Sequence, residues 1–127
     1  MELDNSEVCT QLWHAAQPQC EEVIKRPFKV IRQYANGHTY GLGGQSHHDD
    51  ERSDCYTLVY YANLEWQQIW QGETLYYNEK NEIQAAVQPA PNRAVLFDAR
   101  FPHVGRAASR YFGGLRVTVA YKLIASD

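Results

Sequence analysis

A histidine and an aspartate, His47 and Asp49, stand two positions apart in a polar segment of the chain. In extended backbone, residues at this spacing point to the same side, so both side chains could bind one metal ion. A second histidine from elsewhere would complete a set of two histidines and one carboxylate. Such a set leaves three positions open and commonly holds non-haem Fe(II) for oxygen chemistry. His103, at the start of a late predicted strand, has the right residue type to supply it.

The pair alone leaves several alternatives open. His48 and Asp50 have the same spacing one residue later. The remaining histidines are His14, on a predicted helix, and His38, in a predicted turn. A histidine followed by acidic residues is also common in solvated surface turns, so the pattern needs support from the rest of the chain.

Composition limits the classes of function. The 127 residues suffice for one domain with one core. Twelve Lys and Arg stand against 15 Asp and Glu, without a basic cluster, which argues against a nucleic-acid surface. Cys9, Cys20 and Cys55 are odd in number and widely spaced, so we expect reduced thiols in a cytoplasmic protein. The chain has no long apolar stretch and begins with acidic residues, so neither a membrane span nor a signal peptide is expected.

The elements that must position these residues are predicted to be mainly β-strands. We expect a helical segment over residues 1–26, kinked or split at Pro18, and a β-rich core over residues 27–127. Seven or eight short strands at spacings of about ten residues predict a sandwich, jelly roll or barrel. The first strand is expected to end at the turn-prone Asn36-Gly37. Its alternation places four residues on one face: Phe28, Val30, Arg32 and Tyr34.

Six segments, which include the candidate ligands, carry a resemblance to a known family. They are residues 47–49, 55–63, 72–77, 95–98, 101–103 and 115–122. In this order they resemble the 2-oxoglutarate- and Fe(II)-dependent oxygenase superfamily, and within it the prolyl 4-hydroxylase-like and hypoxia-type prolyl hydroxylase branch. The resemblance covers about two-thirds of the chain. It implies a mainly β fold, a double-stranded β-helix or cupin-like jelly-roll barrel with a short N-terminal helical segment.

The resemblance also implies which residues bind the metal. His47 and Asp49 fall on the first histidine and the carboxylate of the family's motif, and His103 falls on its distal histidine. These three residues would form the catalytic metal site. The separation between the pair and Thr57 in related sequences favours this register over the one that begins a residue later.

Four further residues are expected at the co-substrate pocket, and two of them fall on positions that bind the co-substrate in the family. Arg116 matches the basic residue that pairs with the distal carboxylate of 2-oxoglutarate, and its planar guanidinium can hold a carboxylate through two charge-assisted hydrogen bonds. Thr118 faces the same way on the same predicted strand. Tyr61 matches a tyrosine that hydrogen-bonds the co-substrate, and Tyr34 is expected to line the same pocket.

The implied activity is hydroxylation of an unactivated C–H bond, with release of succinate and CO2. Fe(II) would be the metal, 2-oxoglutarate and O2 the co-substrates, and ascorbate a candidate reductant. A carboxylate at Asp49 favours hydroxylation, since related halogenases have a small residue there. The first expected substrate is a prolyl residue in a peptide or protein; the alternative is a free amino acid or another small molecule.

Some features depart from the family pattern. Family members usually carry more helical scaffold before the barrel, so we expect a trimmed domain, a compact variant, or a chain that pairs with a partner subunit or forms a dimer. Arg106 and Arg110 are rivals of Arg116, although both are expected in a surface loop. Two other classes remain as alternatives: a cupin-like metal enzyme that does not use 2-oxoglutarate, and a non-catalytic cupin-like binding module.

Overall fold

The computed structural model describes residues 1–127 as one long helix followed by seven strands in two antiparallel sheets. The elements are α1 (Glu7–Ile24), β1 (Phe28–His38), β2 (Cys55–Tyr61), β3 (Thr74–Tyr77), β4 (Ile83–Val87), β5 (Ala94–Asp98), β6 (His103–Gly105) and β7 (Arg116–Ala125), with a short 3-10 helix at Gln68–Trp70. The strand orders are β1-β7-β2-β5 and β4-β3-β6. The predicted mainly β jelly roll with an N-terminal helix is therefore confirmed.

Helix α1 covers the outer face of the four-stranded sheet. The side chain of Ser6 caps its first turn by accepting a hydrogen bond from the backbone N of Cys9 at 3.3 Å. Cys9, Trp13 and Cys20 share one face of the helix and are buried in the hydrophobic core. The helix continues through Pro18, so the two-helix form of the prediction is wrong. No helix here combines the length and apolar character needed to cross a membrane.

The three cysteines are buried and form no disulfide, as the sequence predicts. Cys9 and Cys20 lie in the hydrophobic core beneath α1, and Cys55 begins β2. They therefore contribute as small apolar side chains.

Strand β7 is hydrogen-bonded to both β1 and β2, and its two faces lie in different environments. Because side chains alternate along a strand, its two sets of residues have different surroundings. Val119, Tyr121 and Leu123 pack in the hydrophobic core with α1. The opposite set lines a cavity between the two sheets: Arg116, Thr118, Ala120 and Lys122.

Strand β1 contains a β-bulge at Ile31. Val30 pairs with Leu123, whereas Arg32 pairs with Lys122, so two successive residues of β7 face three residues of β1. The extra residue exchanges the two faces of the strand beyond it.

This bulge makes the predicted single face of β1 wrong. Phe28 and Val30 pack in or against the hydrophobic core. Tyr34 lies on the other side, where it lines the cavity, and the guanidinium of Arg32 lies 4.4 Å from its ring centroid. Period-two alternation cannot reveal one inserted residue, because no residue type at Ile31 requires a bulge.

The turn predicted at Asn36-Gly37 is also absent. Strand β1 runs through this dipeptide to His38, with Asn36 paired to Thr118 and His38 paired to Arg116. The long partner strand β7 keeps the dipeptide extended. As a result His38 belongs to the cavity wall and not to a surface turn.

Candidate active site

The backbone brings His47 and His103 side by side. Each of the two residues donates its N–H to the carbonyl oxygen of the other, at N–O distances of 3.0 and 2.9 Å, and the ring centroids are 4.6 Å apart. The backbone N of Asp49 donates to the carbonyl of Ala99 at 2.8 Å, which holds this segment against the loop before β6. The candidate ligand atoms of His47, Asp49 and His103 all lie within 4.8 Å of one another.

The hydrogen bonds of the two imidazoles leave the correct nitrogens for a metal. Nδ1 of His47 lies 2.8 Å from the carbonyl oxygen of Gln45, and Nδ1 of His103 lies 2.9 Å from that of Phe101. A carbonyl oxygen only accepts, so both Nδ1 atoms carry a proton, and in the neutral ring it is Nε2 that offers a lone pair to a metal. Nε2 of His47 lies 3.2 Å from Oδ1 of Asp49. This donor set fits Fe(II).

His103 is enclosed by aromatic side chains. The ring of Phe97 lies 4.7 Å away between centroids, and that of Tyr76 lies 5.9 Å away and is stacked on the imidazole. Burial lowers the pKa of His103, which favours the neutral ring that a metal requires. His47 is different, since 56% of its side chain is exposed. The candidate centre is therefore packed on one side and open on the other.

The alternative register lies outside this group. Asp50 forms an ion pair with Arg52, with Nη2 2.8 Å from Oδ2, and Nε2 of His48 lies 3.6 Å from an exposed carboxylate of Glu51. The structure therefore groups His47 and Asp49, and not His48 and Asp50, with His103.

The second oxygen of Asp49 is held by two residues that the sequence did not identify as part of the site. Nζ of Lys122 lies 2.6 Å from Oδ2, and Oγ1 of Thr57 donates to the same atom at 2.7 Å. Burial by itself raises the pKa of Asp49, but the hydrogen bond and charge of Lys122, together with the hydrogen bond of Thr57, outweigh it, so the pKa lies below its usual value. Oδ1 is left for the metal.

The candidate ligands open into a polar cavity of about 250 Å³ between the two sheets. The wall formed by the four-stranded sheet includes Tyr34, Asn36, His38, Thr57, Val59, Arg116, Thr118, Ala120 and Lys122. The opposite side contributes Gly44, His47, Asp49, Thr74, His103 and Gly105. Its small volume and polar walls suit a small charged ligand.

Arg116 is a buried cation without a counterion. Arg116 is 3% exposed. Its Nε donates to the carbonyl oxygen of Gly72 at 2.8 Å, and its Nη2 lies 3.4 Å from Oγ1 of Thr74. No carboxylate lies within ion-pair distance, and Nη1 has no hydrogen-bond partner in the protein. Since unpaired buried charges are costly, an anion bound at this point of the cavity would be stabilised by Arg116.

Gly72 permits the close approach of Arg116. Its φ is +76°, and a Cβ at this position would lie 3.1 Å from Nε of Arg116 and 3.0 Å from the ring of Trp66. Any other residue here would be strained and would push against the guanidinium.

The other residues predicted for co-substrate binding have different places. Thr118 and Tyr34 line the cavity with Arg116. Tyr61 is 1% exposed and does not line the cavity; its hydroxyl is hydrogen-bonded to Oγ1 of Thr74 at 2.6 Å, and its ring lies 5.8 Å from the guanidinium carbon of Arg116. Their roles in binding stay predictions.

The two arginines considered as alternatives to Arg116 do not line the cavity. Arg106 and Arg110 are both exposed, in the segment between β6 and β7 where the sequence predicts a surface loop.

One signal could have identified Lys122 from the sequence. It lies six residues after Arg116 on the same strand, so both side chains point to the same face. No comparable signal identifies the position of His38, because that depends on the bulge in β1.

Comparisons with known proteins identify a family and solved structures of the same fold. A family model described as the 2OG-Fe(II) oxygenase superfamily matches residues 33–121. A sequence comparison with curated proteins found no match.

Three solved structures share the fold. A prolyl-4-hydroxylase from Pseudomonas putida is 21% identical with a TM-score of 0.71, over 98% of this chain and 70% of that one. A prolyl hydroxylase from Trichoplax adhaerens, solved with a peptide fragment of hypoxia inducible factor, is 21% identical with a TM-score of 0.67, over 97% and 59%. An oxidoreductase of the 2OG-Fe(II) oxygenase family from Burkholderia pseudomallei is 14% identical with a TM-score of 0.76, over 94% and 57%. The chain thus spans 57–70% of their lengths.

Substitution of one histidine at a time distinguishes the two registers. We expect His47→Ala to weaken Fe(II) binding by more than about 100-fold, since loss of a ligand should exceed the 10- to 100-fold typical of residues that only support one. His48→Ala, the matched control, should change the affinity by less than about twofold, because His48 lies outside the group of ligands. Anaerobic calorimetric titration measures both. Equal losses in the two variants would contradict the assignment.

Replacement of Lys122 should leave the buried carboxylate of Asp49 without a counterion. In metal-free protein at pH 7, Lys122→Met should lower the free energy of unfolding by about 3 kcal/mol, because a buried carboxylate loses its counterion. The wild-type pKa of Asp49 is depressed, so its contribution is present at neutral pH and disappears as the carboxylate is protonated below about pH 4. The difference in the free energy of unfolding between wild type and Lys122→Met should therefore decrease in acid.

Urea unfolding with a chelator at pH 7 and in acid measures this difference. Lys29→Met, at an exposed position of β1, provides the control and should change little at either pH. If Lys122→Met lowered the free energy of unfolding by the same amount at both pH values, the loss would reflect packing. That result would contradict the explanation by the charge of Asp49.

Proposed function

The chain belongs to the 2OG-Fe(II) oxygenase superfamily, and from that premise we propose that it hydroxylates a prolyl residue of a peptide or protein. The observation that carries the oxygenase part of the proposal is the cavity itself. One polar cavity contains both the two-histidine, one-carboxylate group and a buried arginine without a counterion. A 2-oxo acid with a second carboxylate matches both features.

The overall reaction balances with these components. The C–H bond, O2 and 2-oxoglutarate are converted to the C–OH product, succinate and CO2, with one oxygen atom of O2 in the alcohol and the other in succinate. When bound, Fe(II) supplies the redox chemistry that allows O2 to react with an unactivated C–H bond. The protein's task is to bind and orient the metal, the co-substrate and the substrate, and to exclude water.

Residues on the two sides of the cavity divide that task. Nε2 of His47, Nε2 of His103 and Oδ1 of Asp49 would hold the metal. Lys122 and Thr57 hold the other oxygen of Asp49, which limits the carboxylate to one orientation. Arg116 would bind the distal carboxylate of 2-oxoglutarate, and Thr118, beside it on β7, would add a hydroxyl donor. Tyr34 forms part of the wall.

Water is excluded mainly on the side of His103. The rings of Phe97 and Tyr76 close this side, and His103 is 7% exposed. The substrate would therefore approach from the side of His47, where the imidazole is accessible.

A prolyl substrate is the finer part of the proposal. Its support is the similarity in fold to structures named as prolyl hydroxylases, one of them solved with a bound peptide. A peptide could reach the metal site from the side of His47, because 56% of this side chain is exposed.

An anaerobic spectrum tests the oxygenase part. Fe(II) with 2-oxoglutarate bound should produce a weak visible charge-transfer band. Arg116→Leu should weaken 2-oxoglutarate binding by about 100-fold, because the distal carboxylate would lose its only buried cation. Arg106→Leu, in the exposed loop, should bind as wild type does.

The same titration discriminates between classes. Wild-type protein that binds Fe(II) but produces no band with 2-oxoglutarate would contradict the proposal and favour a metal enzyme that does not use this acid. Wild-type protein that binds no Fe(II) would favour a non-catalytic module.

A substrate panel tests the prolyl part. We expect succinate release, with and without ascorbate, to rise severalfold with proline-containing peptides and to stay at the basal rate with the same peptides carrying alanine for proline. Mass spectrometry should find a gain of one oxygen atom on proline. Stimulation by free amino acids and not by peptides would contradict the peptide substrate and leave the oxygenase assignment intact.

A further inference from the structure

His38 lines the cavity, although the sequence predicts it in a turn. It ends β1 and pairs directly with Arg116, the first residue of β7. Side chains of directly paired residues in antiparallel strands lie on the same face, with Cβ atoms about 4.5–5.5 Å apart. Both residues line the same cavity. His38 is therefore the residue of β1 that lies directly opposite Arg116 in the cavity wall.

One nitrogen of this imidazole lacks a partner. Nδ1 of His38 is buried and makes no hydrogen bond in the protein. Leaving a buried polar atom unsatisfied costs free energy, and in native proteins such atoms usually have a partner in a ligand or ordered water. The residue paired with it, Arg116, also has a nitrogen without a hydrogen-bond partner, Nη1.

The charge state of His38 suits a hydrogen-bond donor to an anion. Burial, and then the charge of Arg116, lower the pKa of His38, so the ring is neutral near pH 7 and carries one N–H. Arg116 supplies the charge, and a neutral donor adds a directed hydrogen bond without a second buried cation.

We propose that His38 is a second binding residue for the distal carboxylate of 2-oxoglutarate and donates an imidazole N–H to it beside Arg116. A carboxylate has about four acceptor sites on its two oxygens, so it can satisfy both side chains at once. The inference rests on the proposed function, because it assigns a role within the same co-substrate site. It also assigns His38 a part in selection of a dicarboxylic 2-oxo acid.

The test compares two acids that differ only at the distal group. 2-Oxopentanoate has a methyl group where 2-oxoglutarate has its distal carboxylate. His38→Phe keeps a ring of similar shape and removes both nitrogens. His38→Asn and His38→Gln restore an N–H near the positions of Nδ1 and Nε2, respectively. His14→Phe, on the exposed side of α1, makes the same change away from the cavity.

Binding to the Fe(II)-loaded protein is measured by anaerobic titration for both acids, together with Fe(II) affinity and the melting temperature of each variant. We expect His38→Phe to raise the Kd for 2-oxoglutarate about tenfold, the effect of one lost hydrogen bond to a charged group. Its Kd for 2-oxopentanoate, its Fe(II) affinity and all values of His14→Phe should be unchanged. Asn or Gln should recover part of the loss.

Two results would overturn the inference. His38→Phe that binds 2-oxoglutarate as wild type does would show that the carboxylate does not use the imidazole. Equal weakening of both acids would assign His38 a structural role in the wall. Either result leaves the proposed function standing if wild-type protein binds 2-oxoglutarate. Wild-type protein that binds Fe(II) but neither acid would overturn the proposed function and this inference with it.

Discussion

The pairing of β7 with β1 and β2 is the constraint on which the rest of the structure depends. Its odd-numbered residues, such as Tyr121, complete the core beneath α1, and its even-numbered residues face the cavity. The same register places Lys122 opposite Thr57, so that both reach Asp49, and places Arg116 opposite His38. A shift by one residue would exchange the core face and the cavity face of the strand. Stability and binding therefore select the same register.

The two cations that β7 places in the cavity wall, Lys122 and Arg116, differ in a way that indicates the chemistry. Lys122 already has a partner in Asp49, and this ion pair leaves one carboxylate oxygen for a metal. Arg116 has only neutral partners, Gly72 and Thr74, so an anion bound in the cavity would supply the counterion that the protein itself does not. Burial of an unpaired charge has a cost in stability, and proteins tolerate such costs at binding sites.

A short motif and a family resemblance together predicted the parts of the site that depend on local spacing. The grouping of His47, Asp49 and His103 follows from them, as does the presence of Arg116 in the cavity. The place of His38 does not, because one inserted residue at Ile31 reverses the faces of β1 and no residue type marks the insertion. Asn36-Gly37 shows a related limit: its turn propensity is overridden by pairing with a longer strand. Both errors arise from long-range pairing, which local patterns do not contain.

The most direct test of the account is a crystal structure of the protein with Mn(II) and 2-oxoglutarate, with the metal located by anomalous scattering. The account predicts one metal ion bound by Nε2 of His47, Nε2 of His103 and Oδ1 of Asp49, with Lys122 still on Oδ2. It predicts the distal carboxylate of the acid on the guanidinium of Arg116. A metal ion bound elsewhere, or an acid whose distal carboxylate lies away from Arg116, would contradict it.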